Sequence, residues 1–159
     1  MTAVAASSAL LPAVAHAADR YEVTLDSTAR LGADGKARVA GTYTCEGFTG
    51  PVRLKVRVRT EVTRDLTPAE TETVQGIYDW VGIPGTTQVP KTSTVHTTRE
   101  RILDGTCDGS ATAHPWEHGF SGVGTKDGTG TVTVAMTSVD PATAEVTPLA
   151  DTTGEVTFA

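Results

Sequence analysis

The clearest pattern in the chain is a strict alternation, in which Val52, Leu54, Val56 and Val58 are interleaved with Arg53, Lys55, Arg57 and Arg59. A period of two puts the four apolar side chains on one face of a strand and the four cations on the other, whereas a helix would scatter both sets around its axis. The segment is therefore predicted as a half-buried strand that follows a turn at residues 47–51. The same logic predicts strands at residues 21–25 and 92–103, and at 36–45 with Val39, Gly41, Tyr43 and Cys45 on one face. It also predicts a strong strand at 130–139 and shorter ones at 116–120 and 155–158. Residues 31–35 supply the first hairpin turn, and the Asp-Gly pairs at Asp34, Asp104, Asp108 and Asp127 all read as turns. About seven short strands separated by turn signals predict an all-β fold, an antiparallel sandwich of the immunoglobulin-like kind.

Residues 60–91 break the alternation and are predicted as an insertion. Within it, Thr67 fits a helix N-cap, Pro68 the first helical position and Glu70 the reciprocal partner of a capping box. Val74, Ile77, Tyr78 and Val81 follow at the spacing of one apolar stripe, so a helix is expected from Pro68 to Val81, ended by Gly82 and Pro84. Such a stripe ordinarily docks a helix on a sheet. Were Tyr78 and Trp80 exposed instead, they would supply an anchor for a partner, because aromatic residues dominate binding hot spots.

Composition narrows the class. The apolar fraction of 38 % rises to about half once the 16 glycines are included, which is ordinary for a folded domain, and the net charge of −6 argues against a general nucleic-acid binder. Residues 1–17 read as a signal peptide, with an apolar run and the small-x-small site Ala15-His16-Ala17, although no Lys or Arg precedes Arg20. The remainder, 18–159, is expected to be one secreted domain, monomeric, with no membrane span in the mature chain. In an oxidising compartment the two cysteines, Cys45 and Cys107, are expected to form a structural bridge.

The stretch Gly41-Thr-Tyr-Thr-Cys45-Glu-Gly47 with Thr49-Gly-Pro-Val52, and Gly105-Thr-Cys107-Asp-Gly109 with His114-Pro-Trp116, resembles a family of small exported actinobacterial proteins of unknown function. The resemblance runs from about residue 21 to the end, apart from 60–91. It implies export, a sandwich and the Cys45 to Cys107 bridge, and no activity. Antibody domains differ, since no Trp follows the first Cys closely and position 105 is Gly where a tyrosine corner would need Tyr.

Candidate chemistry is sparse. His114 and His118 have a His-x-x-x-His spacing that, with His96 or Asp108, is conceivable as a zinc site, but the plainer reading is of polar residues around a Trp packed near the disulfide. No nucleophile elbow, calcium loop or phosphate-binding glycine loop occurs, so no catalytic residue, metal or cofactor is assigned. The expected function is a non-enzymatic interaction domain that binds a protein or an anionic cell-envelope polymer through the insertion or through the row Arg53, Lys55, Arg57 and Arg59. An inhibitor of an exported hydrolase, offering residues 81–90, is the alternative, and a hydrolase or metal enzyme is the minor one. The plain reading of the cationic row is a solvated face neutralised by acidic neighbours.

Overall fold

The computed structural model describes residues 20–82 and 89–159. The expected leader therefore lies outside the described residues. Eight strands and one helix follow in the order β1 (Arg20–Val23), β2 (Thr28–Leu31), β3 (Lys36–Glu46), β4 (Thr49–Asp65), α1 (Pro68–Val81), β5 (Thr92–Asp108), β6 (His114–Ser121), β7 (Thr129–Val139) and β8 (Val146–Phe158).

Hydrogen bonding runs β1-β3-β2-β8-β7-β4-β5, with β6 on the other edge of β3. All pairs are antiparallel except β2 with β8, where Thr28 faces Thr157 and Ala29 faces Phe158 in parallel. The expectation of a purely antiparallel sandwich is corrected in this respect, because β2, while Arg30 and Leu31 still pair with β3, also lays Thr28 and Ala29 alongside β8. β3 and β5 lie far apart in the hydrogen-bonding order, yet Cys45 and Cys107 are bonded with Cα atoms 5.9 Å apart. The sheet is thus folded over, so that β1, β3 and β6 face the β8-β7-β4-β5 layer.

The alternation seen in the sequence becomes the core. Val52, Leu54, Val56 and Val58 of β4 and Val156 and Phe158 of β8 flank Val132, Val134 and Met136 of β7, and Val39, Tyr43, Trp116 and Phe120 close the other side. Each large aliphatic side chain buried here contributes about 1.5–3 kcal/mol of transfer free energy. Thr60 is the last covered position on the inward face of β4. Two residues on, Val62 is already 40 % exposed.

Beyond Thr60 the pairing with β7 stops, and residues 61–65 pair only with 92–96. Within residues 60–91 the chain thus runs on from β4 as one strand of a two-stranded arm. α1 sits at its tip. Its start follows the sequence closely: the Thr67 hydroxyl accepts from the Glu70 N–H, and the Glu70 carboxylate accepts from the Thr67 N–H. Gly82 ends the helix in the left-handed conformation at φ 71°.

A second correction concerns Asp104-Gly105, which lies inside β5 and forms no turn. Its glycine serves a different purpose. A Cβ at Gly105 would lie 2.7 Å from the Tyr43 hydroxyl, which donates to the Thr106 carbonyl and accepts from the Thr106 N–H, both at 3.2 Å. Gly105 is the space into which Tyr43 reaches across the layers. Likewise Pro51, expected in a turn, belongs to β4 opposite Thr106.

Three outcomes follow from these cross-layer ties. Reducing the bridge, which joins residues 62 apart, should lower unfolding free energy by about 4 kcal/mol in denaturant titrations. Gly105→Ala, by forcing Tyr43 off its two hydrogen bonds, should cost about 1–3 kcal/mol in the same measurement, and Tyr43→Phe with intact Gly105 about 1 kcal/mol.

Candidate functional site

The row Arg53, Lys55, Arg57 and Arg59 lies on the outer face of β4, as the alternation required. Every member has a carboxylate beside it. Arg53 lies 3.4 Å from Asp104, Lys55 3.1 Å and Arg57 2.7 Å from Glu100, and Arg59 3.7 Å from Glu61. The cause is register: Asp104 and Glu100 stand directly opposite Arg53 and Arg57 on β5, the arrangement in which opposite charges stabilise a sheet. Arg57 donates two hydrogen bonds to Glu100 and, together with Lys55, holds that carboxyl below the usual glutamate range. The surface this row forms is therefore a solvated face on which three carboxylates partner four cations.

The histidines are not gathered. His114 and His118 both lie on β6, four residues apart, and a strand rise of about 3.3 Å per residue separates them by about 13 Å, too far for one metal ion. His114 stacks on the Tyr43 ring with centroids 5.1 Å apart, and its Nε2 lies 3.5 Å from Asp108, long for a hydrogen bond. His118 packs edge-on against Phe120 at 4.9 Å. His96 is on the outer face of β5, with its Nδ1 3.0 Å from Glu61. Among the described residues, no group of three or more His, Cys, Asp or Glu side chains is placed to hold a metal ion.

α1 departs from the expectation that its stripe docks on the sheet. No residue of the helix is buried. Val74 and Tyr78 are half-buried, while Ile77, Trp80 and Val81 are exposed, Trp80 to 87 %. At 100° per residue the stripe spans roughly half of the helix circumference. One flank, Val74 and Tyr78, is partly covered, and the other, with Trp80 and Ile77, stands open. The physical reason is the arm: by carrying α1 past the last covered position at Thr60, it removes the sheet surface against which the stripe would have packed.

The helix is held to the arm electrostatically. Arg64 on β4 makes two hydrogen bonds to Glu70, at 2.8 and 2.6 Å, so the same carboxylate caps the helix and ties it to the strand. Residues 83–88, most of the loop expected to serve an inhibitor, lie outside the described residues.

The tie at Glu70 has a pH signature. Hydrogen bonding from Arg64, with further bonds from Thr67, lowers its carboxyl from 4.5 to about 2 in the folded protein. A group depressed in this way contributes stability that is present above the unfolded-state value and is lost as pH falls toward the folded one. Helical ellipticity should therefore hold from neutrality to about pH 4.5 and decline between there and about pH 2. Glu70→Gln should lower it at neutral pH and remove that acid transition. In comparisons with known proteins, the chain matches no family model, no curated protein and no solved structure.

Proposed function

We propose that this chain is an exported interaction module that presents α1, at the tip of the β4–β5 arm, to a groove on a protein partner. The observation that carries this reading is Trp80, 87 % exposed beside Ile77 and Val81 at 54 % and 57 %, on a helix that buries none of its own residues. Ile77, Trp80 and Val81 fall at i, i+3 and i+4, the spacing by which an amphipathic helix anchors in an apolar groove. A large exposed aromatic side chain brings substantial contact area for little rotamer entropy, which is why Trp dominates binding hot spots.

Three further features support it. The disulfide is consistent with an oxidising compartment, and no helix among the described residues is long and apolar enough to cross a membrane. The strand order, with β1, β3 and β6 against β8, β7, β4 and β5, and β2 pairing with both β3 and β8, supports an immunoglobulin-like scaffold. Export and that scaffold also accord with the actinobacterial family that the two cysteine neighbourhoods resemble. Binding of an envelope polymer through the β4 row draws less support, since each of its cations already has a carboxylate partner.

Trp80→Ala with Ile77→Ala is the direct test. The pair should leave the melting temperature within a degree or two, because both side chains are exposed, and should abolish capture of a partner from culture supernatant or cell surface. Equal capture by the double variant would refute the reading. Gly76→Ala offers a gain-of-function check: a Cβ there meets nothing within 4 Å, so the helix should be stabilised by about 1 kcal/mol and the partner bound more tightly.

A further inference from the structure

The sandwich has an open side where β5, the last strand of one layer, faces β6, the last strand of the other. Between them runs a cleft of about 520 Å³ lined by Lys36, Arg99, Arg101 and His118, with Phe120 at its base and Glu100, whose carboxylate is taken up by Lys55 and Arg57, also at its wall. We propose that this cleft binds the oxyanion groups of a linear anionic polymer, with Arg99 and Arg101 as the principal ligands and Lys36 and His118 completing the site from the opposite wall. It is separate from the apolar flank of α1.

The charge balance sets this cleft apart from every other cationic surface described. Arg99 and Arg101 stand opposite Val58 and Val56, so they point to the inward side of β5, where the second layer no longer covers it. Neither has a carboxylate within 4 Å among the described residues, nor does Lys36, whereas Arg30, Arg38, Arg64 and all four cations of the β4 row do. The nearest candidates are engaged elsewhere. Glu100 is held on the outer face by Lys55 and Arg57, and Glu117 by Arg30 and Arg38.

Three uncompensated cations converge on one cleft in a chain of net charge −6. Their mutual repulsion is felt by His118, whose imidazolium is disfavoured by burial and then by Arg101 and Lys36. An oxyanion would relieve this repulsion, and His118 would then supply a hydrogen-bond donor from a neutral ring.

Local geometry keeps the walls in place. Gly119 leaves room for the Lys36 stem, which would lie 3.4 Å from a Cβ built there, and Lys36 contributes to the lining of the cleft. Across the cleft, the Arg99 Nη2 comes within 3.8 Å of the Cβ position of Gly122. Arg99 and Arg101 are two residues apart on one strand face, so their planar guanidinium forks spring from backbone positions about 7 Å apart, a repeat suited to successive charges of a polymer.

Inward-pointing charges on an edge strand also deter strand-to-strand association. That role alone needs no convergence from the facing layer, and it makes a different prediction. Binding of inorganic polyphosphate, heparin and polygalacturonate, measured by fluorescence anisotropy from 20 to 300 mM salt, separates the two. The wild-type chain should bind at least one of them, and the one it prefers identifies the charged group as phosphate, sulfate or carboxylate. Arg99→Gln with Arg101→Gln should weaken that binding about tenfold or more and reduce the slope of log affinity against log salt by about one per cation removed. Lys55→Gln with Arg57→Gln should leave it near the wild-type value. Absence of binding to all three polymers at 20 mM salt would overturn the proposal, as would equal binding by the cleft variant. A cleft variant that aggregates while retaining affinity would assign these arginines to edge protection alone.

Discussion

The architecture depends on what happens where β3 meets β5. These strands share no backbone hydrogen bonds, and three side-chain features tie them together: the Cys45–Cys107 bond, the Tyr43 hydroxyl spanning both backbone groups of Thr106, and the absence of a side chain at Gly105. Besides them, the layers are joined by the short parallel pairing of β2 with β8, by the Gly47 N–H donating to the Gly109 carbonyl, and by apolar contact. The bridge limits the unfolded chain, while the tyrosine fixes the native register of one layer over the other. Both act at one end of the sandwich, so β5 and β6 can diverge at the side and leave a cleft between them.

How far each element was readable depended on whether its neighbours were local. β4 could be read because a strand covered on one face writes its environment in period two. The capping box at Thr67 and Glu70 was equally visible, since it satisfies backbone groups within a single turn. By contrast, Asp104-Gly105 has the composition of a turn, and nothing nearby in sequence reveals that the glycine accommodates Tyr43, more than sixty residues earlier.

The cations teach the same lesson in reverse. Arg53, Lys55, Arg57 and Arg59 drew attention because they alternate so regularly, yet regular alternation also lets a facing strand supply matching carboxylates. Arg99 and Arg101 drew none, because they occupy positions that the pattern of β5 assigns to the inward side, and charge there makes sense only once the opposing layer is known to end short. The stripe on α1 was legible as a stripe. Whether anything would cover it was not, because a sequence records that a face is apolar without recording what lies across from it.

A body of tightly packed strands and a helix that rests on none of them have a further consequence. Substitutions on the open flank of α1 disturb few contacts that hold the rest together, so the chain can alter what its tip recognises while its folding remains the same. The five-residue length of ribbon between Thr60 and the helix acts as insulation, separating the part free to diversify from the part that must stay fixed.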